Sequence, residues 1–129
     1  MSAPRKASAE IRLLILDALK DPYRRFLDQN TPSRRYLNHW DITEEGFFST
    51  LTDDIENYEI FLKPKNKPSD IQKYQTRLIY EAEPPDYPET LNIYIALSHR
   101  GDPPRVKVAL HPSDTVQQLP KTKIEKTKQ

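Results

Sequence analysis

The sequence predicts an α+β domain in which N-terminal helices pack on one face of a four-stranded antiparallel sheet. Three observations carry that expectation. Near the N-terminus, Ile11, Leu14, Ile15, Ala18 and Leu19 recur at i, i+3, i+4, i+7 and i+8, which is one stripe of a helix. From Tyr58 the period changes to two: Leu91, Ile93, Ile95 and Leu97 make one apolar face, and Val106, Val108 and Leu110 make a matching one. The segments between these runs are short, which suits antiparallel neighbours.

Taken in order, Ser8 is a suitable N-cap for the first helix. Asp21-Pro22 resets the chain, with Asp as cap and Pro at the first helical position, and predicts a short helical turn through Tyr23, Phe26 and Leu27. QNTPSRRYLNHW reads as a basic, turn-rich connector. Asp41 followed by Glu44 forms a capping box, opening a helix that buries Phe47, Phe48, Leu51 and Ile55. Gly46 weakens that helix by about 1 kcal/mol relative to Ala. A first strand is expected over 58–63, after which the two prolines of PKNKPSDIQ interrupt any ladder. The other strands are expected over 74–81, 91–97 and 106–110, joined by the stiff connector EPPDYPE and the turn HRGDPP. Residues 1–119 are expected to form one domain, and 120–129 a disordered basic tail.

Bulk properties narrow the function classes. A chain of 129 residues with 36% hydrophobic content builds one core. Twenty Lys and Arg against 19 Asp and Glu leave a net charge of +1, so any nucleic-acid role must rest on a local patch. The absence of cysteine removes disulfides, thiolate chemistry and Cys-ligated zinc. Three scattered histidines without i, i+4 spacing argue against a metal site, and no cofactor is implied. No Gly-rich phosphate loop, GxSxG motif or dinucleotide fingerprint is present. With neither a signal-type N-terminus nor an apolar run of membrane-spanning length, a soluble cytoplasmic protein is expected.

If the helices cover the apolar strand face, the pleat assigns the other face. It collects Asn92, Tyr94 and Ala96 on one strand, with Arg105, Lys107, Ala109 and His111 on the next. Lys73, Gln75 and Arg77 join them from the second strand, and Glu59 and Lys63 from the first. Such a surface suits RNA. Cations neutralise phosphate, a phenol stacks or donates, and an imidazole exchanges protons near neutral pH. It also suits metal-free RNA cleavage, which needs a base for the 2′-hydroxyl, cations for the phosphorane and an acid for the leaving oxygen. The plain alternative is that antiparallel sheets commonly leave one face wet. His39 beside Trp40 reads as structural. Arg100, in the turn His99-Arg100-Gly101-Asp102, is either a solvated turn residue or an RNA contact beside this face. Arg24, Arg25, Arg34 and Arg35 form the densest basic cluster, as an exposed turn or as steering charge.

The order of these segments resembles the MqsR-type mRNA interferase toxins of the RelE-like ribonuclease fold, over residues 41–114. In that family a helix with an acidic start leads to an aromatic-rich strand ending in a catalytic lysine; here DITEEGFF leads to YEIFLK and Lys63. An aromatic-Gln pair opens the next strand, and KYQTRLIY puts Gln75 there. A tyrosine follows in the next strand, matched by Tyr94 in NIYIAL. The last family position is a lysine, where this chain departs with His111 in VALHPSD. The resemblance implies a metal-independent endoribonuclease paired with a cognate antitoxin. Lys63, Gln75, Tyr94 and His111 would be catalytic, and Arg77, Lys107, Arg105 and Arg100 would bind substrate. Neither DNA nor membrane is an expected partner. The alternative is a non-catalytic protein- or RNA-binding module of the same fold.

Overall fold

The computed structural model describes residues 5–28, 31–62, 74–98, 103–112 and 123–124. The chain runs α1 (Ala9–Leu19), β1 (Arg25–Leu27), α2 (Thr31–Trp40), α3 (Glu44–Asn57), β2 (Phe61–Leu62), β3 (Tyr74–Ala82), β4 (Leu91–Ser98) and β5 (Val106–Pro112). The strands form one sheet in the order β1-β5-β4-β3-β2. The pairs β2–β3, β3–β4 and β4–β5 are antiparallel, and β1 joins β5 in parallel. The α+β class is as expected. The sheet itself is mixed and five-stranded, not antiparallel and four-stranded. No helix among the described residues is long and apolar enough to cross a membrane.

The fifth strand is the segment expected to be a second helical turn. Asp21 Oδ1 accepts the Tyr23 N–H at 2.9 Å, and Asp21 O accepts the Arg24 N–H at 3.0 Å, so the chain turns and leaves extended. Val106 N–H then donates to Arg24 O at 2.8 Å, and Asp28 N–H to Val108 O at 2.7 Å. A run as short as Tyr23–Phe26–Leu27 fits either period, and its pairing partner lies some 80 residues on, as the 80-residue gap in the Arg24–Pro104 hydrogen bond illustrates.

The second correction is α2, which occupies the expected connector. Pro32 is tolerated because it sits in the first turn, where its missing N–H has no helical partner. Ser33 and Leu37 are buried, and Tyr36 and Trp40 half-buried, on a stripe that the intervening arginines conceal. Asp41 belongs to the end of this helix, not the start of the next. Its φ is 57°, Asp41 N–H donates to Asn38 O and Ile42 N–H to Leu37 O, both at 3.2 Å, which is the Schellman arrangement. The N-cap of α3 is Thr43, whose hydroxyl accepts the Gly46 N–H at 3.0 Å. Ser8 caps α1 as expected, accepting the Ile11 N–H at 3.2 Å.

The core lies between the helices and one face of the sheet. Leu91, Ile93, Ile95, Leu97, Val106, Val108 and Leu110, the face expected to be covered, are all buried there with Leu78 and Tyr80. From the helices come Ile15 and Leu19 of α1, Leu37 of α2, and Phe47, Phe48, Leu51 and Ile55 of α3. Lys20 and Glu56 tie α1 to α3 at 2.8 Å, and the Arg25 guanidinium lies 4.9 Å from the centre of the Phe48 ring. Both ends of the described chain meet the end of α3 or the segment after it. Leu62 N–H donates to Arg5 O, Ala7 N–H to Ile60 O, and Ile124 N–H to Asn57 O.

One buried hydrogen bond explains how α2 is locked to the sheet. β1 pairs with β5 only as far as Val108. Beyond that point the Leu110 N–H donates to Ser33 Oγ at 2.9 Å, and Ser33 is fully buried. Ser33→Ala leaves that backbone donor unsatisfied in the core, at an expected cost of about 1–3 kcal/mol. Urea denaturation of the purified variant checks it; an unchanged midpoint would show that the bond contributes nothing net.

Candidate functional site

The face away from the core is ordered by cross-strand register, because directly paired residues share a face. One row reads Phe26, Lys107, Ala96, Arg77 across β1, β5, β4 and β3. The next reads Ala109, Tyr94, Ile79, Phe61 across β5, β4, β3 and β2. The third reads His111, Asn92, Glu81. The alternation of β4 and β5 therefore distributes side chains as expected.

Of the expected site residues, Tyr94 and His111 are brought into contact. They are diagonal neighbours on adjacent strands, with ring centroids 4.9 Å apart at 67°, an edge-to-face pair of half-buried rings. Arg77 and Lys107 stand on either side of Ala96, whose methyl group leaves a low floor between two cations. Lys107 Nζ lies 3.8 Å from Asp28 Oδ2, a loose pair that leaves the ammonium half-exposed. Arg105 sits apart from Tyr94 and His111, at the β1 corner, with its guanidinium carbon 5.7 Å from the centre of the Phe26 ring. Gln75 falls in β3 where the register shifts between Tyr74 and Thr76, a bulge of the backbone. The Gln75 side chain, Lys63 and Arg100 lie outside the described residues.

This face is only partly open. Phe61 and Ile79 are buried side by side on it, and Asn92, between Glu81 and His111, is 0% exposed. Among the described residues the Asn92 amide has no hydrogen-bond partner at either its nitrogen or its oxygen. A buried amide left without a partner costs free energy on the order of 1–3 kcal/mol. Sequence reasoning assigned Asn92 to this face without a role. It gave Phe26 no site role, because the segment through Tyr23, Phe26 and Leu27 was read as a helical turn. The exposed apolar residue beside charged alternation was the available signal.

The perturbed ionisable groups sit on the opposite, core side. Asp54 of α3 is buried against Tyr80 of β3 and Tyr87 of the β3–β4 connector. Burial pushes both phenols well above their ordinary range, and the Asp54 charge and its hydrogen bonding push them further. Phe47 meets Tyr87 edge to face at 6.5 Å. Buried between helix and connector, this cluster is structural: it pins the connector to α3. Tyr36 is also raised, by burial and then by Glu89, whose Oε2 accepts the Trp40 Nε1–H at 3.2 Å.

Among the described residues no three His, Asp or Glu side chains approach closely enough to hold a metal ion. The second sheet face thus offers two cations across a low floor and an imidazole on a phenol. That set can bind a phosphodiester and move a proton beside it. No family model matches this chain, and no curated protein or solved structure is significantly similar to it.

Proposed function

We propose that this protein is a metal-independent endoribonuclease of the mRNA interferase type, acting in the cytoplasm on the second face of its sheet and restrained by an antitoxin that covers that face. The observation that carries the reading is the register: Arg77 and Lys107 flank Ala96, one row from the Tyr94–His111 pair. Arg77 and Lys107, with Lys63 and Arg100, hold the scissile phosphate and neutralise charge as the phosphorane forms. Tyr94 and Gln75 position the nucleotide. His111 takes the 2′-hydroxyl proton as the 2′-oxygen attacks phosphorus; the bond to the 5′-oxygen breaks and that oxygen takes up a proton. The products are a 2′,3′-cyclic phosphate and a 5′-hydroxyl.

The test is incubation of end-labelled mRNA with the purified protein in EDTA. Cutting that persists in EDTA and leaves 2′,3′-cyclic phosphate ends is the expected result. Intact RNA at micromolar protein would overturn the reading.

A second reading is a catalytically silent binding module, favoured by the net charge of +1 and by the Asp28 carboxylate beside Lys107. Charge reversal separates the two. Lys107→Glu should cripple an RNA enzyme and leave a partner-binding edge nearly unaffected.

A further inference from the structure

The corner of the sheet where β1 meets β5 carries a feature the cleavage scheme does not use. Phe26 points to the same face as Lys107, its direct partner in the register, and is 45% exposed. At 45% exposure the ring leaves nearly half of its surface to solvent. Arg105 lies over its ring at 5.7 Å, and Lys107 stands beside it, so the aromatic surface is bordered by two cations. Tyr23, three residues earlier, is 86% exposed. Exposed aromatics among cations are what a base with its phosphate requires: the ring stacks on the π-face and the cations meet the backbone.

We propose that Phe26, with Arg105 and Lys107, is a base-stacking subsite for single-stranded RNA, one strand removed from the Tyr94–His111 pair. The inference rests on the ribonuclease reading for the course of the RNA. Strand and residue spacing set Phe26 roughly 12 Å from Tyr94, two strands across and one row along. A dinucleotide bridges that span. A base anchored on Phe26 runs its backbone past Lys107 and over the Ala96 floor, toward Tyr94 and His111. A duplex keeps its bases stacked on each other and offers none to Phe26, so the subsite selects unpaired RNA.

Fluorescence anisotropy tests this with a labelled single-stranded RNA of about 12 nucleotides. It is run in EDTA with the full chain carrying His111→Ala, so that the RNA stays intact. Adding Phe26→Ala should weaken binding roughly 5- to 150-fold, the weight of one base stack. Phe26→Trp should retain or tighten it, and the same sequence as a duplex should bind more weakly and ignore both changes. Equal affinity for single-stranded RNA with alanine or tryptophan at this position overturns the subsite and leaves this corner to a protein partner. The cleavage assay on the unmodified protein is independent: RNA that binds through Phe26 but is never cut sinks the enzyme reading and keeps the subsite. Cutting with no Phe26 dependence of binding does the reverse. Thermal melts of each variant confirm that the exposed ring is dispensable for folding.

Discussion

His111→Ala is expected to lower the rate of RNA cleavage by roughly 10²- to 10⁴-fold, the usual contribution of a positioned proton-transfer group. The melting temperature should shift by only a few degrees. The ring is half-buried near the end of β5, on the face away from the core, and its edge-to-face contact with Tyr94 contributes about 0.5–1.5 kcal/mol. A loss of activity without loss of stability separates chemistry from packing. The informative companion is His111→Lys, which puts at this position the residue that the resembling toxin family carries there. Lysine keeps a positive charge beside the phosphate but is a poor proton acceptor at neutral pH. If His111 transfers the proton, His111→Lys stays as inactive as His111→Ala, and the limb of the pH–rate profile due to the imidazole disappears. If the residue only stabilises charge, His111→Lys restores cutting and the proton-transfer role is wrong. Full activity in His111→Ala would remove it from the mechanism.

The second large effect concerns stability at alkaline pH. In the unfolded chain Tyr80 and Tyr87 ionise in the ordinary phenol range near pH 10. In the folded protein burial, Asp54, Asp86 and the neighbouring tyrosines hold both in the neutral form to higher pH. Above pH 10 the unfolded state therefore binds fewer protons than the native state, and stability falls as pH rises. Below pH 10 the contribution is fully present. Each phenol adds a slope approaching about 1.4 kcal/mol per pH unit, so the pair brings close to 3 kcal/mol per unit. Two pH units of that exceed a third of the stability of an ordinary domain. Urea midpoints measured from pH 8 to 12 should drop steeply above pH 10. Tyr80→Phe and Tyr87→Phe should each remove about half of the steepening, because phenylalanine keeps the packing and has no proton to lose. Parallel curves for all three proteins would mean that the phenols are not what the alkaline transition reports.

Much of the architecture was legible in the chain, and the failures share one cause. The period-two runs of β4 and β5 identified the buried face residue by residue, because a half-buried strand must alternate. The stripe of α1 and the apolar positions of α3 followed from the 3.6 period. The sequence misled where two local readings were equally good. Tyr23–Phe26–Leu27 matched a helical turn but became β1, since its pairing with β5 is parallel and distant. TPSRRYLNHW looked like a connector because arginines break up the stripe of Ser33, Leu37 and Trp40. In DITEE the expected cap was Asp41, but Asp41 ends α2 in the left-handed region and Thr43 starts α3.

For the candidate site, the pattern along each strand determined which residues share a face, since the pleat leaves no choice once one side is buried. Arg77, Tyr94, Lys107 and His111 were therefore named correctly as facemates. Their neighbours across strands are a matter of register, which no single strand encodes. That register set Tyr94 against His111, put Ala96 between the two cations, buried Asn92 without a hydrogen-bond partner among the described residues and moved Arg105 to the corner. Above all, the parallel addition of β1 brought Phe26 beside Lys107. Hydrophobic periodicity is local and so is written in the chain; the pairing of segments separated by most of its length is decided only when the core closes.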